Sequence, residues 1–257
     1  MKNNMKEYKS KEDVIWKDLQ FFNSLSEEFK DNPELMVQKI LSIFYGIKTK
    51  QYKEMEKAEI AMLVTELSLV LSQPKGEFRN IIEVCGKQYG FIPNFAKITA
   101  GELIDIDSCL AAEDFDSLTS ILYRPIKDEI TPTGEYKVKK YKGYNKTFEN
   151  VSQFIVEGYL ERFKQEYGSI KSDYPHLFNP EDTDSQNNDG GVILGYTETQ
   201  EFHDDYGPYV ELIYLISKGN LLIKDKITKM NVHEFLWMGE YLIRKRKIEA
   251  KASQSKK

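Results

Sequence analysis

The sequence predicts a mainly helical α+β protein with a small antiparallel sheet. Apolar residues recur at helical spacing through the first third of the chain, a period of two takes over between residues 80 and 92, and helical spacing returns after residue 147. A chain of 257 residues with 40% hydrophobic and 30% charged residues can bury a sizeable core without disulfides or a structural metal.

The first third is predicted to form a layer of three amphipathic helices. Residues 10–13 begin with serine and end with aspartate, which is the spacing of a capping box ahead of the first helix. Asn32-Pro33 supplies a cap and a first-turn proline to the second helix, which Gly46 ends. The third helix carries its apolar stripe over residues 60–71. These stripes must be covered by one another or by a sheet.

Two regions change to the alternation of a β-strand. Residues 80–85 and 88–92 flank a Gly86-Lys87 turn and predict a hairpin. Residues 135–141 alternate in a way that is typical of a strand with one face in solvent. We therefore expect the sheet to be built from these two regions.

Further helices are predicted over residues 100–110, 114–123, 147–163, 208–216 and 231–250. The second of these should stop at Arg124-Pro125, because proline disfavours the helical conformation in the residue before it. Gly219 is the expected terminator of the fourth. Asn231 and Glu234 have the pattern of a reciprocal cap for the last helix.

Residues 180–191 have the composition of a linker, since they are rich in turn formers and contain no apolar side chain. They divide the chain into a mixed helical and α+β body, residues 1–179, and a C-terminal helical segment with a basic tail, residues 192–257. A long surface loop within a single domain is equally permitted.

Composition argues against several classes of protein. The best apolar run, residues 60–71, is broken by polar side chains and falls short of the ~18 residues that a membrane span needs. The N-terminus lacks the apolar core of a secretory signal. With only Cys85 and Cys109, a disulfide framework is excluded and a reducing compartment is indicated. We expect no membrane insertion.

No motif predicts an active site. His233-Glu234 begins like a zinc-protease motif, but Trp237 stands where that chemistry needs a second histidine. Asp105 with Asp107, and the acidic stretch 201–205, could offer carboxylates to a cation, yet solvated turns and helix starts are the more ordinary explanation. Nucleophile-elbow and phosphate-loop patterns are absent. We therefore expect no enzyme, no metal and no cofactor, although a catalytic triad that converges only in three dimensions stays open.

Charge is unevenly distributed along the chain, whose net charge is −5. Residues 101–130 contain eight acids and two cations, whereas residues 244–257 contain seven cations and one acid. A basic tail on an acidic body suits nucleic acid, an acidic membrane surface or an acidic protein face, and a solvated helix end is the ordinary alternative. Lysine greatly outnumbers arginine, which argues against sequence-specific nucleic-acid binding.

The last predicted helix carries apolar residues around more of its circumference than a helix on a free surface needs. Its main stripe contains Val232, Phe235, Leu236, Leu242 and Ile243. Gly239 on that stripe permits close approach to a neighbour, while Met238 lies off it. The candidate interface residues are Trp237, Tyr241, Arg244, Lys245, Arg246 and Lys247. We expect this basic arm to dock on an acidic face, such as residues 101–130 of an adjacent subunit, rather than on DNA.

The order of several segments resembles that in one group of sequences. The segments are Ile43–Gly46, Val84–Tyr89, Lys97–Asp105, Ile121–Pro125, Tyr141–Tyr144 and Ile227–Phe235. Their arrangement is similar to that of uncharacterised proteins from the structural-gene clusters of tailed bacteriophages of Bacteroides-type hosts, including crAss-like phages. No functional residues carry over from this resemblance.

The resemblance implies a structural component of a tailed-phage virion, such as a neck, ring or tail subunit. Its partners would be copies of itself and other phage structural proteins, in the virion and, during assembly, in the host cytoplasm. A tail-assembly chaperone that does not stay in the particle is the alternative, and an unrecognised enzyme is a third.

Overall fold

A computed structural model of the chain describes residues 8–29, 31–128, 130–178 and 207–254. Within these ranges the chain is mainly helical and contains a small three-stranded antiparallel sheet, which confirms the predicted fold class. The predicted linker at residues 180–191 lies outside the described residues, so the division at that segment stays a prediction.

The helices are α1 (Trp16–Glu28), α2 (Pro33–Tyr45), α3 (Thr49–Glu54), α4 (Lys57–Leu71), α5 (Ala100–Ala111), α6 (Phe115–Leu122), α7 (Gln153–Ser172), α8 (Pro175–Phe178), α9 (Gly207–Ile216), α10 (Lys224–Thr228) and α11 (Val232–Gln254). The strands are β1 (Ile81–Val84), β2 (Lys87–Phe91) and β3 (Tyr123–Pro125). Short 3-10 turns cover Lys11–Asp13, Phe95–Lys97, Lys146–Phe148 and Leu221–Ile223.

Helices α1 to α4 form the N-terminal layer around their own apolar core. The Asn32 side chain accepts a hydrogen bond from the backbone N–H of Leu35 at 3.1 Å, and Gly46 ends α2 with a φ of 68°, both as predicted. The capping box at residues 10–13 is present, but it caps the 3-10 turn Lys11–Asp13, and α1 begins only at Trp16. Helix α3 was not predicted from the sequence. The core of this layer contains Tyr8, Val14, Leu25, Leu41, Phe44, Leu63 and Leu67.

A second, larger core joins the sheet to α5, α6, α7, α9 and α11. It combines aliphatic with aromatic side chains, and several ring pairs meet edge to face, as the ring quadrupole favours. The largest fully buried members are Tyr123, Phe148, Tyr159, Phe163 and Phe235.

The predicted hairpin is confirmed, with its turn one residue earlier than expected. Strands β1 and β2 pair antiparallel, Ile82 opposite Tyr89. Cys85 and Gly86 occupy the turn with φ values of 51° and 70°. Positive φ at both central residues is what a two-residue hairpin turn needs if its twist is to match that of the two strands. Lys87, placed in the turn by the sequence prediction, is the first residue of β2.

The prediction of a strand at residues 135–141 is wrong. In that stretch only Val138 forms an isolated bridge, to Ile126. The third strand is β3, which pairs with β2 directly after α6. Pro125 disfavours the helical conformation in the residue before it, so α6 ends and the chain becomes extended there. The edge of β2 that does not pair with β1 is available to this extended segment.

A short stretch of backbone pairing ties the N-terminal layer to α7. The N–H of Trp16 donates to the carbonyl of Val151 at 2.9 Å, and the N–H of Gln153 donates to the carbonyl of Val14 at 2.7 Å. Nearby, the buried Lys11 ammonium lies 3.3 Å from the Glu157 carboxylate. The start of α7 is therefore held by the segment that precedes α1.

Two glycines allow the chain to pass closely over α7. Gly76 lies against the backbone of Phe154, and a Cβ at Gly158 would lie 2.6 Å from the carbonyl oxygen of Glu77. Neither position has space for a side chain without moving backbone. The segment that leads from α4 into β1 therefore crosses α7 at van der Waals distance.

We expect Gly158→Ala to lower the free energy of unfolding by about 1–3 kcal/mol, because the added methyl group collides with rigid backbone. Gly168 is the matched control, since it lies in the same helix and no atom of the described residues would lie within 4 Å of an added methyl group there. Gly168→Ala should raise stability by about 0.5–1 kcal/mol through helix propensity alone. Urea unfolding measures both variants, and equal stabilisation of the two would contradict the close crossing.

Candidate interaction surface

Helix α11 begins directly after Asn231, where the sequence predicts its start, and hydrogen bonds hold this end in place. The Asn231 side-chain oxygen accepts a hydrogen bond from the N–H of His233 at 2.9 Å, and its amide group donates to the carbonyl of Ala96 at 2.7 Å. On either side, the N–H of Val232 donates to Ile98 and the N–H of Ala100 donates to Met230. The start of α11 is thus fixed against the start of α5.

One face of α11 is buried within the chain's own core. Val232, Phe235, Leu236 and Ile243 are each 5% exposed or less, as the predicted stripe requires. A Cβ at Gly239 would lie 2.5 Å from a methyl group of Leu212, so the lack of a side chain at this position leaves room for α9 to pack closely. The neighbour that the glycine accommodates is therefore part of the same chain.

The opposite face of α11 exposes large apolar side chains. Trp237 is 62% exposed, Tyr241 53% and Ile248 67%. They occupy positions i, i+4 and i+11, so they form one row, and we call these three residues the α11 stripe. The two rings stack with centroids 5.9 Å apart and planes 15° from parallel. A contiguous exposed apolar row of this kind is what interaction surfaces show, whereas scattered exposed residues are ordinary.

Cations lie beside and beyond the α11 stripe. Arg244 pairs with Glu240 at 2.7 Å, Lys245 lies 3.9 Å from Glu249, and Arg246 lies 4.0 Å from Glu211 of α9. All three cationic side chains are 56% exposed. The pairs of Lys245 and Arg246 join side chains that are both exposed, so they contribute little to stability and leave these charges open to a partner. Glu240 is only 10% exposed, so Arg244 also compensates a buried carboxylate. Lys247 lies on the same helix, with its side chain outside the described part of the structure.

The acidic segment 101–130 is less acidic at the surface than its composition indicates. Glu102 pairs with the buried Arg124 at 3.0 Å, and the Asp116 carboxylate accepts the N–H groups of Asn150 and Val151, each at 3.1 Å. Buried carboxylates need such partners. The acids of this segment that are classed as exposed in the described residues are Asp105, Glu113 and Asp128.

The densest polar group joins three helices around Asp107. The hydroxyls of Tyr167 (α7) and Tyr209 (α9) both donate to its carboxylate, and the Lys171 ammonium lies 3.4 Å away. We call these four residues the Asp107 cluster. Burial first, and then the Asp107 charge, raise the pKa of both tyrosines well above the ordinary value. At neutral pH they are therefore neutral donors that hold α7 and α9 to α5.

Other candidate chemistry from the sequence is not brought together in the described residues. Asp105 and Asp107 lie two apart on α5, so their carboxylates leave the helix on different sides. The His233 ring nitrogen Nδ1 lies 2.9 Å from the Tyr174 hydroxyl, and burial raises the pKa of the Cys109 thiol to about 12. No group of three or more His, Cys, Asp or Glu side chains suited to a metal ion occurs in the described ranges. The acidic stretch 201–205 lies outside them.

No protein-family model, curated protein or solved structure matches the chain. None of the described helices is long and apolar enough to cross a membrane. What bears on function is therefore the geometry of the surfaces themselves.

We expect Tyr209→Phe to lower the free energy of unfolding by about 1.5–3 kcal/mol, because it removes a donor from a charged carboxylate in a part-buried site. Tyr214→Phe is the control on the same helix, where the ring is 53% exposed. Combining Tyr209→Phe with Tyr167→Phe should be non-additive, since both hydroxyls serve one carboxylate. Urea unfolding of the wild type, the three single variants and the double variant gives the values, and a Tyr209→Phe variant as stable as the control would show that the Tyr209 hydroxyl contributes nothing.

The buried tyrosines also predict alkaline unfolding. Burial raises the pKa of Tyr8, Tyr45 and Tyr141 to about 12, and raises it further for Tyr123 and Tyr159. Because the folded state favours the neutral form, this stability is fully present below the unfolded pKa of ~10 and is lost as pH rises above it. A titration that follows tyrosinate absorbance and circular dichroism together should show part of the 16 tyrosines ionising only as helical signal is lost. Complete ionisation with an intact fold would contradict the burial.

Proposed function

We propose that this protein is a non-enzymatic assembly protein that binds partner proteins through the α11 stripe and the cations beside it. The observation that carries the proposal is that α11 is apolar on two opposite faces, of which the described residues cover only one. Aromatic side chains suit such contacts because they offer a large area with few rotors to immobilise, and arginine is enriched with them at interfaces.

The use of the polar groups in the described residues supports an assembly role over catalysis. The Asp107 cluster, the Glu102–Arg124 pair and the Asp116 carboxylate each tie separate elements together. Their partners are backbone groups or side chains of the fold, which is the arrangement expected of structural contacts.

We propose, on the sequence resemblance alone, that the assembly is a neck, ring or tail structure of a tailed bacteriophage. The protein would act there with copies of itself and with other phage structural proteins, in the host cytoplasm during assembly and then in the virion. Neither sequence-specific nucleic acid nor a cofactor has a part in this proposal.

A groove in the N-terminal layer favours the alternative of a tail-assembly chaperone. It has a volume of about 700 Å³ and lies between α2, α3 and α4. Its half-buried apolar lining is formed by Val37, Tyr52, Met55, Ile60 and Val64. An open apolar groove between helices can accept an amphipathic helix of another protein.

The central test removes the two rings of the α11 stripe. Trp237→Ser combined with Tyr241→Ser should weaken self-association, or binding to a neighbouring structural gene product, by at least about tenfold, because interface aromatics contribute more than 1 kcal/mol each. Light scattering and sedimentation measure both kinds of association. Tyr214→Ser is the matched control, since Tyr214 on α9 is 53% exposed, as Tyr241 is.

Unchanged association of the double variant would count against the proposed surface. Strong, salt-dependent binding of duplex DNA by the intact protein would instead indicate that the basic arm serves nucleic acid. Mass spectrometry of purified phage particles separates the two phage roles, because a virion subunit is present in the particle and a chaperone is not.

A further inference from the structure

A second surface of the molecule is complementary to the α11 stripe. It is a notch of about 400 Å³ between α1 and the turn that joins α5 to α6. We call it the α1 notch, and its lining residues are Lys17, Gln20, Phe21, Ala112, Glu113 and Asp114. Phe21 is 51% exposed, so the notch offers an aromatic face to solvent.

Acidic side chains surround the α1 notch. Glu113 and Asp114 line it, and Lys17, its one lining cation, is paired with the buried Asp116 at 2.6 Å. Tyr144, 47% exposed, lies in the field of the same acids: burial first, then Asp116 and other neighbouring carboxylates, raise the pKa of its hydroxyl. The notch therefore combines one exposed aromatic ring, that of Phe21, with two acids and one cation among its described lining residues.

The α1 notch and the α11 stripe do not cover each other within one chain. Trp237, Tyr241 and Phe21 are all more than half exposed in the folded protein. The notch lies at the C-terminal end of α5, whereas α11 starts against its N-terminal end, at residues 98–101. A contact between the two surfaces has to be made between different molecules.

We propose that the α11 stripe of one copy docks in the α1 notch of a second copy, an inference that rests on the proposed assembly function and names its partner. Charge complementarity supports this occupant. Residues 244–257 carry seven cations and one acid, and the notch presents Glu113 and Asp114 beside the exposed ring of Phe21. Complementary charge fixes the register of such a contact, and the α11 stripe together with Phe21 supplies the apolar area that the contact buries.

A contact between two different patches of the same chain is heterologous. Repeated from copy to copy, it generates a closed ring when the rotation closes and an open filament when it does not. This is the kind of self-assembly that a ring or tube in a neck or tail requires.

The test reverses one charge on each side of the contact. Glu113→Lys changes the notch, and Lys245→Glu changes the arm, where the pair with Glu249 at 3.9 Å is weak and exposed. Each variant alone should self-associate about tenfold more weakly than the wild type at low salt. A mixture of the two variants should regain assembly to within about threefold, because each copy then meets a partner of opposite charge. Glu83→Lys and Lys164→Glu, exposed residues on β1 and α7, are the matched charge controls.

Sedimentation of all five proteins and of the mixture is measured at two salt concentrations, with circular dichroism to establish that each variant is folded. We expect both single variants to lose assembly and the mixture to regain it, and we expect added salt to weaken assembly. A Glu113→Lys protein that assembles normally while the Trp237→Ser/Tyr241→Ser double variant does not would overturn the notch and leave the proposed function standing. Normal assembly of both would count against both proposals. A wild-type protein that stays monomeric at its highest soluble concentration would overturn the inference outright.

Discussion

The contact between Gly239 and Leu212 determines which residues the last helix presents to solvent. An added Cβ at this glycine would lie 2.5 Å from the leucine methyl, so α11 packs closely against α9 on the face that also buries Phe235, Leu236 and Ile243. Trp237 and Tyr241 each lie two residues from Gly239, about 200° around the helix, and Ile248 lies nine residues away, about 180° around it. The rotation that buries the glycine therefore turns the stripe outward. The candidate interaction surface depends on this one constraint.

The same packing explains why an acid-rich segment does not become an acid-rich face. Helices α5 and α6 belong to the same core as the sheet, α7 and α9, and two of their carboxylates, Glu102 and Asp116, are buried. A buried carboxylate is tolerated only with donors around it, and the fold supplies Arg124, two backbone N–H groups and two tyrosine hydroxyls. The acids that are left at the surface are fewer, and Glu113 lines the same notch as the exposed ring of Phe21.

The sequence was sufficient to predict those elements whose ends are set by interactions between neighbouring residues. The cap and terminator of α2, the period of α4, the bounds of α5 and the start of α11 all follow from side chains within a few residues of each element. The hairpin was predicted for the same reason, although its positive-φ turn falls on Cys85 and Gly86. The sequence also predicts Trp237 and Tyr241 as candidate interface residues, because they exceed what one buried stripe requires, and both are exposed in the structure.

The sequence alone therefore determined the class of fold, most of the helices and the surplus apolar character of α11. Only the tertiary structure decided that β3, rather than residues 135–141, completes the sheet, because strand pairing depends on which edge lies alongside. It also decided which acids are buried, that Asp107 meets Tyr167 and Tyr209, and that a notch forms between α1 and the end of α5. Each of these joins residues far apart in the chain, and periodicity along a chain carries no information about such distant contacts.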